Sequence, residues 1–281
     1  MNTNKERIAI FLSSLSGGGV APCFLKLANY FHTQGHPVDL LLGKYRGPHL
    51  GNVPEGIHII PLQRKPKWIG QLSTVIGHSQ KLGYWVLPIF LPLRPESDLS
   101  IIDSLTNYLQ KNRPYAMLTA KTYTNIIGLI AREKADVKTK IVISERTHLS
   151  HEIIQYKNFL RWRYILSLVK KWYKHADAIT AVSTGVAQDL IDQAQLDQKQ
   201  VHVIYNPTIN ESLERRKKEK VNHPWFKNNQ ASVLLAIGRL HEQKDFPTLL
   251  HAFAKVRKNY NVRLVILGEG PQRKQLEQLI K

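Results

Sequence analysis

The fold is decided by residues 8–42, which read IAIFLSSLSGGGVAPCFLKLANYFHTQGHPVDLLL. A continuous apolar run over residues 8–15 predicts a strand that is buried on both faces. Three glycines follow at 17–19, and an amphipathic pattern over residues 20–34 then predicts a helix. Val38–Leu42 is a second apolar run, so the stretch predicts one complete βαβ unit. Such a unit is typical of a parallel α/β sheet.

Apolar runs alternate with helical patterns along most of the remaining chain. Further strands are predicted at residues 57–60, 116–120, 140–144, 178–182, 201–205, 233–237 and 263–267. Helices are predicted at residues 100–110, 125–133, 185–193 and 247–258 and at the C-terminus, and a long basic amphipathic helix at 156–175. The alternation predicts an α/β fold with parallel sheets.

The pattern breaks after Asn206, where an Asn-Pro pair, a basic run and a polar stretch follow one another. Such composition is typical of a linker between domains. We therefore predict an N-terminal Rossmann-like domain at residues 1–206, a linker at 207–230, and an incomplete C-terminal Rossmann-like βαβα unit at 231–281.

The chain is strongly basic and contains one cysteine. Its 281 residues have a formal net charge of +19 and a sequence pI of about 10.0. A surface of this kind favours polyanions, which include nucleic acid, acidic lipid headgroups and phosphorylated substrates. The single cysteine, Cys23, excludes an intramolecular disulfide and favours a reducing compartment. Its place on an apolar helical face predicts a buried structural thiol.

Two apolar segments bear on membrane association. The run near the N-terminus is too short to span a bilayer, and the stretch YWVLPIFLPL at residues 84–93 is short and interrupted by proline. The second stretch would either cover the sheet or lie at a membrane surface. We therefore expect a cytoplasmic protein, with peripheral association at the inner face of the membrane as a further hypothesis.

The glycines of the first strand-to-helix junction form a candidate anion site. Gly17, Gly18 and Gly19 stand where backbone amides and a helix N-terminus can meet a negatively charged group. The motif is neither a Walker A sequence nor a complete GxGxxG. A flexible turn is the alternative reading.

A second junction carries a more specific pattern. Gly238 permits close approach to the backbone, Arg239 offers a fork of donors, and Lys244 adds a point charge. Together these residues could clamp the two phosphates of a nucleotide-sugar and stabilise a departing nucleoside diphosphate.

The turn after the last predicted strand is another candidate for donor binding. It consists of Gly268, Glu269 and Gly270, followed by a helical pattern. On its own the turn is explained most simply as structural.

Polar residues follow the predicted strand at 140–144. Glu145 could act as a general base and Arg146 as a clamp for a phosphate or a hydroxyl group, because such positions line the functional crevice of parallel sheets. The alternative is a Glu–Arg pair that organises a loop. His148, without an identified partner, reads as a surface histidine.

Several blocks in a fixed order resemble family 4 glycosyltransferases of the GT-B type. The blocks are SLSGGGVAPCFLKLANYFHTQGHPVDLLL, VISERTHLS, HADAITAVSTGVAQDLI, VIYNP, IGRLHEQKDFPTLLHAFAKV and LVILGEGPQRKQLEQLI. The resemblance implies transfer of a sugar from a UDP- or GDP-linked donor, with retention and without a metal or a separate cofactor. It also implies that the C-terminal domain binds the donor and the N-terminal domain the acceptor.

The resemblance assigns roles to residues at matching positions. Arg239 and Lys244 match the pair that holds the donor diphosphate, and the glycines at 17–19 match a loop facing donor and acceptor. Glu145 and Arg146 match a strand tip where many members carry a histidine. The family also carries two glutamates eight positions apart, further along its second domain. Glu269 and Glu277 share that spacing but lie before that location, so we do not assign them the role.

Three hypotheses follow from these observations. The first is a glycosyltransferase that uses a nucleotide-sugar and a glycan or lipid-linked acceptor in cell-surface polysaccharide or glycolipid biosynthesis, beside an anionic membrane surface. The second is an inactive, truncated fragment of such an enzyme. The third is a basic nucleic-acid-binding protein, although the sequence has no zinc, RRM or helix-turn-helix signature and no specific nucleic acid is expected.

Overall fold

The structure is a computed structural model that describes residues 5–16, 18–64, 99–159, 162, 164–208, 211–227 and 231–280. Gly17 and the apolar stretch at 84–93 lie outside the described residues. The chain divides between Thr208 and Ile209 into two compact units. Each unit is described by itself below.

The first unit alternates strands and helices as the sequence predicts. Its strands are β1 (Ile8–Leu12), β2 (Val38–Leu42), β3 (His58–Pro61), β4 (Ala116–Ala120), β5 (Lys140–Glu145), β6 (Ala178–Ala181) and β7 (Val201–Val203). Its helices are α1 (Val20–Thr33), α2 (Ile102–Asn112), α3 (Thr122–Ala135), α4 (Leu149–Gln155), α5 (Ile165–Trp172) and α6 (Thr184–Ala194).

These strands form one parallel sheet in the order β3-β2-β1-β4-β5-β6-β7. Ile8 of β1 pairs with Val38 of β2 on one side and with Ala116 of β4 on the other. The chain therefore runs outward from β1 to β3 and returns to the opposite side of β1. In such sheets ligands bind at the carboxyl ends of the strands on either side of this reversal. The fold therefore predicts a ligand site at the loops after β1, β4 and β5.

The core has two layers, one on each face of the sheet. Ile10 and Leu12 of β1 pack with α1, whereas Ala9 and Phe11 pack with α2, α3 and α5. All four side chains are almost completely buried. A strand covered on both faces needs no polar alternation, which explains the continuous apolar run of β1.

The prediction of one long helix at residues 156–175 is wrong. Helix α4 ends at Gln155, residues 156–158 form a turn, and α5 begins at Ile165. The rings of Tyr156 and Trp162 stack with their centroids 5.1 Å apart, and Tyr123 of α3 meets Trp162 edge-on at 5.6 Å. Burial of Trp162 against Tyr123 of α3 favours the turn over a continuous helix, because the indole ring removes a large apolar area from water.

The second unit contains a two-stranded parallel sheet. Its strands are β8 (Ser232–Ile237) and β9 (Val262–Leu267), and its helices are α7 (Glu211–Arg216), α8 (Pro224–Lys227), α9 (Phe246–Arg257) and α10 (Arg273–Ile280). Leu240, Phe246 and Leu276 form a small buried core. Several apolar side chains of the sheet are nevertheless exposed, and Ile237 is the most open at 72%.

No helix within the described ranges combines the length and the apolarity needed to cross a membrane.

Candidate functional site

The loop after β1 leads directly into α1 and contains the predicted glycine site. Gly18 has φ +110°, a conformation that side-chain-bearing residues rarely adopt. Gly19 is the N-cap of α1. A Cβ added to Gly18 or Gly19 would meet no heavy atom within 4 Å. The backbone geometry therefore explains Gly18, whereas open space beside Gly19 leaves room for a ligand to approach the helix.

Lys121 stands at the end of β4, on the other side of the strand-order reversal. It is exposed and has φ +78°, which is unusual for a residue other than glycine. Its backbone N–H donates to the carbonyl oxygen of Ser144 at 3.2 Å. Backbone outliers of this kind concentrate at functional sites. The sequence does not indicate Lys121, because nothing in the residue pattern around it predicts the unusual backbone conformation.

Glu145 is the last residue of β5, and its side chain points into the protein. Only 1% of the residue is exposed. Its carboxylate accepts hydrogen bonds from the hydroxyl of Tyr173, from Nδ2 of Asn125 at 3.1 Å and from Oγ1 of Thr122 at 3.3 Å. A buried and fully surrounded carboxylate does not face a substrate in this conformation.

Burial raises the pKa of Glu145 to about 7. The cause is loss of hydration, which penalises the charged form of the carboxylate, and the charge of Glu152 raises the pKa further. The bonds from Tyr173, Asn125 and Thr122 act in the opposite direction, because they favour the ionised form. Burial outweighs them.

Arg146 points away from this buried network. Its Nη2 donates a hydrogen bond to Oδ1 of Asn206, and its guanidinium carbon lies 5.8 Å from the centroid of the Phe24 ring. Glu145 and Arg146 thus use separate partners. The alternative of a Glu–Arg pair is therefore not what organises this loop.

His148 has a partner that the sequence did not reveal. Its Nδ1 lies 3.9 Å from Oδ1 of Asp189 in α6, and Oδ2 of the same carboxylate accepts the backbone N–H of Ser150 at 3.2 Å. The imidazole also lies against Gly185. These contacts attach the loop after β5 to the start of α6.

The second unit brings Gly238, Arg239 and Lys244 together at the end of β8. A Cβ on Gly238 would lie 3.6 Å from Cγ and Cδ of Lys244, so the lysine stem lies alongside the glycine. Arg239 and Lys244 are exposed. Neither belongs to an ion pair with any residue that the structure describes. The stem of Lys244 thus lies beside Gly238, and Arg239 directly follows Gly238 after the carboxyl end of β8.

Gly238 differs from the two glycines of the neighbouring turn. A Cβ at Gly268 would lie 1.8 Å from the carbonyl oxygen of Gly238, and one at Gly270 would lie 2.2 Å from that of Leu240. The packing of the two loops thus requires Gly268 and Gly270. The space at Gly238, where the nearest atom would be 3.5 Å away, would accept an alanine. Its glycine is not required by the packing of the protein itself.

Glu269 and Glu277 are both engaged by one arginine. Arg273 of α10 pairs with Glu269 through Nη1 and with Glu277 at 2.8 Å through Nε. The spacing of eight positions thus places both carboxylates around Arg273 on one side of a helix. This arrangement explains the spacing without a sugar ligand. The predicted contact of Glu269 with the donor stays a prediction.

The described part of the chain contains no group of three or more His, Cys, Asp or Glu side chains arranged to hold a metal ion.

Sequence comparisons identify two domain families along the chain. Residues 17–209 match the model of Glycosyltransferase Family 4, and residues 217–281 match that of Glycosyl transferases group 1. The chain is 29% identical over 177 residues to the N-acetylgalactosamine-N,N'-diacetylbacillosaminyl-diphospho-undecaprenol 4-alpha-N-acetylgalactosaminyltransferase of Campylobacter jejuni. This match covers 63% of the present chain and 42% of the relative.

A second relative is an uncharacterized glycosyltransferase of Methanocaldococcus jannaschii, 30% identical over 151 residues. That match covers 52% of the present chain and 36% of the relative. The matched part of the chain thus spans less than half the length of both curated relatives.

Solved structures show the same fold. The lipopolysaccharide outer core galactosyltransferase WaaB aligns with a TM-score of 0.63 and 16% identity, over 97% of this chain and 64% of that one. Anabaena HepE in complex with UDP and glucose also aligns with a TM-score of 0.63 and 16% identity, over 98% and 65%. The α/β prediction with parallel sheets of the GT-B type is confirmed. The chain belongs to glycosyltransferase family 4.

Proposed function

We propose that this chain transfers a sugar from a UDP- or GDP-linked donor to a glycan or lipid-linked acceptor, in the synthesis of a cell-surface polysaccharide or glycolipid. The family supports the reaction class, and the relatives named above support the kinds of donor and acceptor. The Campylobacter relative is named for a diphospho-undecaprenol acceptor, and HepE was solved with UDP.

The observation that carries the proposal is the group Gly238, Arg239 and Lys244. Arg239 and Lys244 are exposed beside Gly238 at the carboxyl end of β8, and the packing around Gly238 would accept an alanine. A guanidinium and an ammonium group bind phosphate oxygens through charge-assisted hydrogen bonds. The same contacts strengthen as the leaving diphosphate gains negative charge, so they lower the barrier to transfer.

In the first unit we assign different roles to the two predicted catalytic residues. Arg146 is half-buried just after β5, where it contacts Asn206 and Phe24, and it is proposed to hold an anionic group of the substrate. Glu145 is proposed to position the loop that carries Arg146, because its carboxylate is buried among Thr122, Asn125 and Tyr173. Gly18 and Gly19 are proposed to leave space for the substrate at the start of α1.

Alanine substitutions at the diphosphate site test the proposal. We expect Arg239→Ala and Lys244→Ala each to weaken UDP or GDP binding by roughly tenfold to a hundredfold, the effect of removing a hydrogen bond to a charged group. Isothermal titration of the 281-residue chain measures this effect, and transfer from UDP- and GDP-sugars is assayed in parallel.

Lys255→Ala is the matched control, because Lys255 is an exposed lysine of α9 in the same unit. It removes the same charge and should leave binding unchanged. Equal losses in all three variants would indicate a general charge effect and would contradict the site. Nucleotide binding without any transfer would instead support the hypothesis of an inactive fragment. Preferential, salt-dependent binding to arbitrary duplex DNA would favour the nucleic-acid hypothesis.

We further propose that the basic surface associates with an anionic membrane from the cytoplasmic side. The support is the net charge of +19 and the basic residues of α5 and the turn after it. Each exposed cation near an acidic bilayer contributes about 1 kcal/mol. Lys174 is exposed and Lys170 half-buried, so a chain with both Lys170→Gln and Lys174→Gln should bind anionic vesicles roughly fivefold to thirtyfold more weakly, as measured by flotation.

The vesicle experiment has two controls. Lys255→Gln combined with Lys258→Gln lowers the net charge equally at exposed positions of the second unit. Neutral phosphatidylcholine vesicles measure the binding that remains when the lipid carries no net charge. Binding to neutral and anionic vesicles alike, or binding that does not weaken with added salt, would refute an electrostatic association.

A further inference from the structure

Arg146 is held from two sides within the first unit. Its Nη2 donates to Oδ1 of Asn206, and the ring of Phe24 lies 5.8 Å from the guanidinium carbon. A hydrogen bond and a cation–π contact together restrict a long side chain that would otherwise sample many rotamers. The guanidinium is thus presented in one orientation.

Asn206 is itself anchored to α1. Its Oδ1 also accepts a hydrogen bond from Sγ of Cys23 at 3.6 Å, and the carbonyl oxygen of the next residue, Pro207, accepts one from Nζ of Lys26 at 2.9 Å. Cys23, Phe24 and Lys26 all belong to α1, the helix that begins after the glycine loop. The segment that follows β7 therefore links α1 to the loop after β5.

The chemistry of the anchor suits an anionic ligand. An aspartate at this position would accept the same hydrogen bond but would neutralise the guanidinium. An asparagine fixes the side chain and leaves its positive charge intact. Among the residues that the structure describes, the remaining N–H donors of Arg146 have no hydrogen-bond partner, so they can bind a phosphate group, which a planar guanidinium holds through two parallel hydrogen bonds.

We propose that Asn206 is a positioning residue that, together with Phe24 and Cys23 of α1, holds Arg146 ready for a phosphate group of the substrate. The identity of the ligand rests on the proposed function, whereas the anchoring rests on the contacts alone. The sequence placed Asn206 only as the last residue of the N-terminal domain, and its contacts now indicate a functional role for it.

The first test reads the anchor without any enzymatic activity. Cys23 is the only cysteine of the chain, and 8% of it is exposed. The rate of its labelling by Ellman's reagent therefore reports on its contact with Asn206. We expect Asn206→Ala to accelerate labelling about tenfold, the effect of one lost hydrogen bond. Asn206→Asp should label no faster than the wild type, because a carboxylate also accepts from the thiol.

Asn112→Ala is the matched control for this test. Asn112 lies at the end of α2, where its Nδ2 donates to the carbonyl oxygen of Tyr108 at 3.1 Å. In the Asn112→Ala variant, Cys23 should be labelled at the wild-type rate. A wild-type rate of Cys23 labelling in Asn206→Ala would show that Asn206 is not anchored to Cys23, and it would contradict the proposal.

The second test separates positioning from a purely structural role. Inorganic pyrophosphate is titrated into a chain carrying Arg239→Ala and Lys244→Ala, so that the second unit contributes little to binding. We expect Arg146→Ala and Asn206→Asp each to weaken pyrophosphate binding about tenfold. Asn206→Asp should thus keep the Cys23 thiol protected from labelling while its binding of pyrophosphate weakens.

If Asn206 had only a structural role, thiol labelling and pyrophosphate binding would not respond differently to Asn206→Asp. Unchanged pyrophosphate binding in Asn206→Asp would overturn the positioning role. Neither readout depends on sugar transfer or on nucleotide binding at Arg239 and Lys244. Failure of the proposed function and failure of this inference are therefore distinguishable.

Discussion

Replacing Gly268 with alanine is expected to unfold the β8–β9 sheet of the second unit. The new methyl carbon would lie 1.8 Å from the carbonyl oxygen of Gly238, a backbone atom that cannot turn aside as a side chain can. The loops after β8 and β9 would have to separate. The hydrogen bonds from Gly238 N to Leu267 O at 3.0 Å and from Leu240 N to Glu269 O at 2.9 Å would then be lost.

The expected loss of stability is about 3–5 kcal/mol, from overpacking together with two broken hydrogen bonds. The second unit has a small core and exposed apolar strands, so a loss of this size should exceed what it can tolerate. Hydrogen exchange of the β8 and β9 amides measures the effect. In Gly268→Ala these amides should exchange as in an unfolded chain, whereas those of β1 and β4 should keep their protection.

Gly238→Ala is the control for the steric argument. Its Cβ would meet Phe246 at 3.5 Å and Lys244 at 3.6 Å, which are ordinary contacts, so protection should remain close to that of the wild type. Wild-type protection in Gly268→Ala, or equal loss in both variants, would show that the close approach of the two loops is not what holds this unit together.

The second large effect concerns the pH dependence of stability in the first unit. The pKa of Glu145 is about 7 in the folded state, against 4.5 for an ordinary glutamate. Between these two values the folded protein binds a proton that the unfolded chain does not. Stability must therefore fall as the pH rises from 4.5 to 7, and this contribution is constant above that range. The shift corresponds to about 3 kcal/mol.

Glu145→Gln removes this titration but keeps the hydrogen-bonded shape of the side chain. Its amide oxygen can accept from Tyr173 and Asn125, and its amide nitrogen can donate to the hydroxyl of Thr122. We expect the variant to match the wild type near pH 4 and to exceed it by about 3 kcal/mol at pH 8. Urea denaturation at the two pH values gives this difference.

The exposed Glu55→Gln of the same unit is the matched control and should alter neither value. Tyr173→Phe should act in the opposite direction at pH 8, because it removes a donor that favours the ionised carboxylate. A stability difference between Glu145→Gln and the wild type that does not vary with pH would mean that burial does not raise the pKa of Glu145.

The strands show how much of the fold the local residue pattern can predict. The strands at Val38–Leu42 and Ala116–Ala120 were predicted with their observed ends, because a strand covered on both faces consists mostly of apolar residues. The predicted helix at 156–175 failed for the opposite reason. Its basic amphipathic pattern is real, but the burial of Trp162 involves Tyr123 of α3, which the local pattern does not contain.

The candidate site divides in the same way. Gly238, Arg239 and Lys244 lie within seven residues of chain, so their local spacing is sufficient to propose a diphosphate site, which stays a prediction. The anchor of Arg146 joins Cys23 to Asn206, which are 183 residues apart, and no local pattern reports such a contact. The burial of Glu145 likewise requires side chains from α3 and from the turn after α5.

The sequence by itself determined the parallel α/β architecture, the family and the two cations of the proposed diphosphate site. These depend on periodicity and on short spacing along the chain. Only the tertiary structure decided that Glu145 points inward while Arg146 points outward, and that Gly268 is required by packing whereas Gly238 is not. The physical reason is that orientation, burial and close approach are set by neighbours from distant parts of the chain, which meet only when the sheet has formed.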